Sequence, residues 1–182
     1  MLMLLALQRR VHQWDQRLFF RVSRWRTRRF GAGAFRLLSA TGDGYWYGIL
    51  ALVITLSLQL SWQYFLTLAL AFAIERPLYW VLKNSFKRDR PSAHALPVKA
   101  LFNAHDRFSF PSGHTCAAFV FVTVSALHFP DAAPLSWIWA TAIGISRVAV
   151  GVHYPTDVVA GACLGTAIAE FTLFIIATYP LF

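Results

Sequence analysis

The stretch YWYGILALVITLSLQLSWQYFLTLALAFAIERPLYWVL, residues 45–82, carries charge only at Glu75 and Arg76. A membrane-spanning helix needs about 20 apolar residues. The stretch is therefore long enough for two, with a turn expected near Gln59–Gln63. Working outward, Thr115–Phe129, Pro134–Val150 and Val158–Phe182 are three more apolar runs, and Pro130-Asp131 ends the first of them. Gly161 and Gly165 have a spacing that permits close helix packing. Pro77 is expected to kink its helix. No alternating strand pattern, repeat or low-complexity linker interrupts the series. The expected fold is an all-α membrane bundle of about five transmembrane helices in a single domain over 1–182.

Bulk composition agrees. The 182 residues are 57% hydrophobic and 14% charged, against roughly 45–50% and about 25% in soluble domains. Mean hydropathy is +0.50. Sixteen Phe and seven Trp suit helices facing lipid and its interface. Cys116 and Cys163 both lie in apolar stretches and read as small packing residues. The net charge of +9 would suit nucleic acid, but so apolar a chain excludes that partner and favours anionic lipid headgroups or a phosphorylated substrate.

The first 40 residues differ from the rest. Leu4, Leu7, Val11, Trp14, Leu18, Val22 and Trp25 recur at steps of three and four, while Arg10, Arg17, Arg21, Arg24 and Arg28 form another stripe. Such a helix lies on a membrane surface, or packs over the bundle mouth, or does both. Met1–Leu7 is too short for a signal-peptide core, and no cleaved targeting segment is expected.

Polar chemistry gathers at three helix ends. Lys83 closes the second run, and Arg90-Pro91 follows in a basic loop. Pro111-Ser112-Gly113-His114 forms a turn directly before a helix. Helix N-termini favour anions, glycine lets backbone approach a ligand closely, and histidine exchanges protons near neutral pH. Ser146-Arg147 precedes His153, and Asp157 stands four residues further on in the first turn of the last run. A carboxylate there can accept the second imidazole N–H and fix the tautomer. Each piece alone has a bland reading: a basic stop, a helix cap, a structural His–Asp bond. Runs three and four go out and back, so both loops share one membrane face. So many ionisable groups beside a bilayer are costly unless they serve one phosphate site.

In order and spacing the three pieces resemble the signature of the type-2 phosphatidic acid phosphatase superfamily, which also includes vanadium haloperoxidases. The match covers residues 83–157 and every motif position is filled. The resemblance implies that His153 attacks phosphorus to form a phosphohistidine, that Asp157 orients it, and that His114 acts as general acid and base. Lys83, Arg90, Ser112, Gly113 and Arg147 would hold the phosphoryl oxygens. No metal or cofactor is implied, and no Asp/Glu/His cluster has convincing ligand spacing. The activity implied is a lipid phosphate or diphosphate phosphatase, on phosphatidic acid, phosphatidylglycerophosphate or polyprenyl (undecaprenyl) diphosphate. A phosphotransferase using the same histidine and a non-enzymatic lipid-binding protein are the alternatives.

Three further features complete the reading. His94, His105, Asp106 and Arg107 read as solvated loop residues rather than headgroup contacts. Arg76 is expected to pair with Glu75 or Glu170 rather than bind a second phosphate. Nine of the 17 Lys/Arg fall in residues 1–36 and eight in 76–147, leaving the turns near 59–63 and 129–133 and the C-terminal tail without any. Five spans put the N-terminus on the face of the catalytic loops. The positive-inside rule then places that face in the cytoplasm of an inner membrane, whereas the family's usual site is periplasmic or lumenal.

Overall fold

The computed structural model describes residues 2–27, 31–93, 100–102 and 106–179, with backbone alone at 2–9, 27 and 93. His94, His105 and Arg28 lie outside the described residues. Among the described residues seven α-helices follow one another: α1 (Leu2–Ser23), α2 (Gly31–Ala40), α3 (Gly44–Ser57), α4 (Trp62–Phe86), α5 (Gly113–His128), α6 (Ala133–Ala149) and α7 (Pro155–Thr178). There is no strand among the described residues, only an isolated bridge between Asp89 and Phe108.

Helices α3 to α7 occupy the five predicted runs. By length and composition α4 and α7 can each cross a membrane, and α2 with α3 forms a third such unit bent by 62°. At 16 residues α5 is shorter, about 24 Å of helix. It sits in the middle of the bundle, against α3, α4, α6 and α7. Its length therefore need not match a bilayer on its own. Its Val120, Val122 and Val124 are fully buried. By contrast Val53 and Leu56 of α3, Trp62 and Trp80 of α4, and Phe171 and Phe174 of α7 point outward. An apolar exterior of that extent marks a surface for lipid rather than water. Cys116 is buried as expected, but Cys163 is exposed.

Glycine sets the spacing of the closest helix pair. A Cβ on Gly161 would lie 2.5 Å from the Ser112 carbonyl oxygen, and one on Gly165 would lie 2.3 Å from that of Cys116. Only glycine lets α7 approach α5 so closely. Helix ends follow local chemistry too. Lys87 takes the left-handed conformation, φ 47°, and its N–H bonds the Lys83 carbonyl to close α4. Pro155 opens α7, and the Asp157 carboxylate accepts the Tyr154 backbone N–H at 2.8 Å.

The N-terminal segment is not one amphipathic helix. A 3-10 turn at Arg24–Thr27 separates α1 from α2, and α2 joins α3 across the bend. α1 rests on α6 and α7. It does so through Asp15, Phe19 and Ser23, all buried, while Val11, Trp14 and Trp25 of the predicted apolar stripe stay exposed. The helix packs on the bundle with a face offset from its hydrophobic stripe, which leaves Val11 and Trp14 turned outward.

Candidate active site

The ends of α2, α4, α5 and α6, with the loops they carry, enclose a cavity of about 540 Å³. Lys83, Arg90, Gly113, His114, Arg147 and His153 all line it. Six of the eight residues singled out from the sequence thus meet at one place. The other two stand behind the wall. Ser112 is buried at the N-cap of α5, its hydroxyl accepting a hydrogen bond from Thr115 at 2.9 Å. Asp157 is buried beneath His153. A Cβ on Gly113 would lie 3.0 Å from the Tyr79 ring, so any side chain here would crowd Tyr79 of α4.

His153 is 2% exposed, in the loop between α6 and α7. Its Nε2 lies 3.3 Å from the Arg90 guanidinium, which also donates to the Val152 carbonyl at 2.7 Å. Burial, and then the cations of Arg90, Arg147 and Lys83, hold its pKa well below the ordinary imidazole value. The ring is therefore neutral at neutral pH, with a lone pair for attack. Its Nδ1 lies 3.6 Å from Asp157 Oδ2, longer than a hydrogen bond, and has no hydrogen-bond partner among the described residues. That carboxylate accepts the Tyr154 N–H at 2.8 Å on Oδ2 and an Arg88 N–H at 2.8 Å on Oδ1. Catalytic hydrogen bonds are often long before substrate binds and tighten afterwards.

Across the cavity His114 Nε2 lies 2.8 Å from Asp43 Oδ1. Arg147 donates to the Ser39 hydroxyl and stacks over Phe102, with its charge centre 5.3 Å from the ring. Both partners come from the α2–α3 bend, Ser39 from the end of α2 and Asp43 from the cap of α3. Sequence reasoning missed them. Only an Asp directly before the helical Gly44 hinted at a site for Asp43.

Asp106 corrects the solvated-loop reading. Lys83 reaches its carboxylate at 2.8 Å, and Arg90 pairs with its other oxygen. Burial would raise this carboxyl, but hydrogen bonds from Lys83 and Arg90 hold it below the usual range. Arg107 of that loop is more exposed than Asp106 and has Asp89 at 3.7 Å. Arg76 pairs with the fully buried Glu75 at 2.5 and 2.7 Å, as expected, and it also lines the cavity. Arg36, on α2, is another lining cation that sequence reasoning missed.

The chain resembles known proteins throughout this region. The model of the PAP2 superfamily matches residues 60–179. An undecaprenyl-diphosphatase of Sulfolobus acidocaldarius is 31% identical over 156 residues, 82% of this chain and 72% of that protein. The bacitracin transport permease protein BcrC of Bacillus licheniformis is 36% identical over 105 residues, 56% of this chain and 50% of its own. A lipid A 1-phosphatase of Rhizobium johnstonii is 36% identical over 101 residues, 53% of this chain and 41% of its own. The chain thus spans about half the length, or less, of these last two. Among solved structures, the transmembrane PAP2-type phosphatidylglycerolphosphate phosphatase of Bacillus subtilis superposes with a TM-score of 0.78 at 25% identity, covering 94% of this chain and 89% of that one. Aquifex aeolicus LpxE superposes with a TM-score of 0.76 at 30% identity, covering 87% and 94%. With its motifs, its cavity and its helical frame all in agreement, the chain belongs to the PAP2 superfamily.

Proposed function

We propose that the chain is a single-domain, metal-independent phosphatase for lipid phosphates or diphosphates, acting through a phosphohistidine. The observation that carries this reading is the shared cavity, where His153 and His114 face a cradle of Lys83, Arg90 and Arg147. Names among the relatives support the substrate class: undecaprenyl-diphosphatase, lipid A 1-phosphatase, phosphatidylglycerophosphatase B.

The chemistry follows from the placement. His153 Nε2 attacks phosphorus, and an N–P bond forms as the P–O bond to the lipid breaks. His114 in its imidazolium form, one ring N–H held by Asp43, gives its other ring proton to the departing oxygen. Water then attacks the phosphoimidazole, His114 takes a proton from it, and the N–P bond breaks to release inorganic phosphate. Asp43 orients the His114 ring, and Asp157 stabilises the positive charge that develops on His153. Lys83, Arg90 and Arg147, with the α5 N-terminus at Ser112 and Gly113, hold the phosphoryl oxygens and the added charge of the transition state. Cations rather than carboxylates dominate the wall, so charge is neutralised there without a metal. Phosphate release from a panel of phosphatidic acid, phosphatidylglycerophosphate and polyprenyl diphosphate, in detergent with chelator, tests this. His153→Ala abolishes release on every substrate; turnover that survives the substitution refutes the mechanism.

The membrane face is part of the same proposal. α1 packs against the first turn of α7, just after the loop that carries His153, through the Asp15–Thr156 contacts, which supports an N-terminus on the cavity side. With the Lys/Arg bias, this favours a site on the cytoplasmic face of the inner membrane. A cysteine placed at Tyr179, in a background lacking Cys116 and Cys163, is labelled from outside intact cells if so. Labelling from the cytoplasm alone puts the site on the periplasmic face.

A further inference from the structure

Behind His153 the motif residue Asp157 joins a polar cluster with Arg88, Thr156 and Asp15, none of which was singled out from the motifs. Arg88 lies between the motif residues Lys83 and Arg90. One of its Nη atoms donates to Asp157 Oδ1 at 2.8 Å and to the Thr156 hydroxyl at 2.6 Å. The other donates to Asp15 Oδ2 at 2.5 Å. Asp15 is fully buried although it sits on the surface helix α1. It also accepts the Thr156 backbone N–H at 3.0 Å and the Thr156 hydroxyl at 2.5 Å. The Arg88 guanidinium stacks on Tyr154, 4.2 Å from the ring centre, and the Phe19 ring of α1 lies 5.8 Å from the same ring, centre to centre.

This gives a row of alternating charge: the imidazole of His153, the carboxylate of Asp157, the guanidinium of Arg88 and the carboxylate of Asp15. A row of this kind bears on catalysis. An arginine bound to Asp157 draws that carboxylate's charge away from His153, unless a second carboxylate shares the arginine. Asp15 does so. Its two bonds to Thr156 also pin the first turn of α7, which fixes where Asp157 Oδ2 stands, 3.6 Å from His153 Nδ1. Outer hydrogen-bond partners of this type orient the groups that react.

We infer that Asp15, on the N-terminal helix, is a positioning residue for the histidine chemistry, acting through Arg88 and Thr156 on Asp157. The inference rests on the phosphohistidine reading above. It makes α1 part of the active-site apparatus rather than only a membrane-surface helix.

The test uses the full chain in detergent micelles with radiolabelled dioctanoylphosphatidic acid. Single-turnover quench-flow reads both the rate and the amplitude of His153 phosphorylation, and steady-state kinetics give kcat and KM. Asp15→Asn lowers the phosphorylation rate at saturating substrate about 10- to 100-fold, while the substrate Kd read from the concentration dependence of that rate is unchanged, because Asp15 does not line the cavity. Loss of folded protein alone lowers the amplitude and leaves the rate intact, and that result overturns the inference. A wild-type rate in Asp15→Asn also overturns it. If Asp15→Asn does not yield folded protein, Thr156→Val decides. It keeps every charge and removes one hydroxyl, and it lowers the same rate several-fold; an unchanged rate overturns the inference. Failure of the underlying reading looks different, since wild-type protein then accumulates no label on His153 at all.

Discussion

His153 stands between two arginine–aspartate pairs of similar geometry and opposite setting. On the cavity side Arg90 and Lys83 hold Asp106, whose side chain is 45% exposed. On the far side Arg88 holds Asp15 and Asp157, both 0% exposed. The chemistry of the contacts is alike, and burial separates them. An exposed carboxylate can swing away and leave its cations to a phosphate, because water takes over its solvation. A buried one cannot leave without stranding charge in a medium of low dielectric. The near pair is thus exchangeable and the far pair fixed, which is what a phosphate site and its support respectively require.

The contrast is broken most forcefully from the far side. Arg88→Met keeps bulk but leaves Asp15 and Asp157 buried without their shared cation. A loss of about 3–5 kcal/mol is expected for a buried pair deprived of one partner, seen as a large fall in the melting temperature of the detergent-solubilised protein. A fall no greater than that of a surface substitution would mean that the far pair is not buried in the working protein. Next in size is Arg90→Ala. Its guanidinium approaches His153 Nε2 at 3.3 Å and lines the cavity. Removing one such donor costs about 10²–10³ in rate, read as kcat/KM for phosphate release. The accompanying loss of melting temperature is expected to be smaller than for Arg88→Met, because the partner Asp106 is free to hydrate.

The cavity side was largely legible in the sequence and the far side was not. Long apolar runs force ionisable residues to helix ends, which marks Lys83, Arg90, His114, Arg147 and His153, and on the far side Asp157 alone. The partners contributed by α1 and α2 did not. Asp15 lies on a helix whose apolar stripe runs through Val11, Trp14 and Leu18, and periodicity points attention to that stripe. The face that α1 buries is instead Asp15, Phe19 and Ser23, and only docking against α7 reveals it. Arg88 sits in a run of basic residues, where nothing local separates the one turned inward from its neighbours. Asp43 and Ser39 became site residues through the 62° bend between α2 and α3, a tertiary feature with no periodic signature. Asp106 was read as solvated because its loop is polar, and its two cations come from elsewhere in the chain.

The smallest expected effect sharpens the comparison from the exchangeable side. Asp106 stands where phosphoryl oxygens would compete for Lys83 and Arg90. Its carboxyl titrates below its ordinary value of about 3.9 because those cations hydrogen-bond it, against the opposing effect of burial. A carboxyl depressed in the folded state adds stability that is fully present above its unfolded pKa and is lost as pH falls through the lower, folded value. Across the neutral range Asp106 therefore stays charged and keeps competing. Asp106→Asn removes that competitor. A half-exposed ion pair of this kind is worth about 0.5–1 kcal/mol, which corresponds to a KM about two- to five-fold lower, with kcat little changed and no pH dependence of the ratio between pH 5 and 8. Measured KM values for one lipid phosphate, wild type against variant, decide the point. An unchanged KM would show that Asp106 clears the cradle at no cost before substrate arrives, and a raised KM would show that it belongs to the binding surface itself.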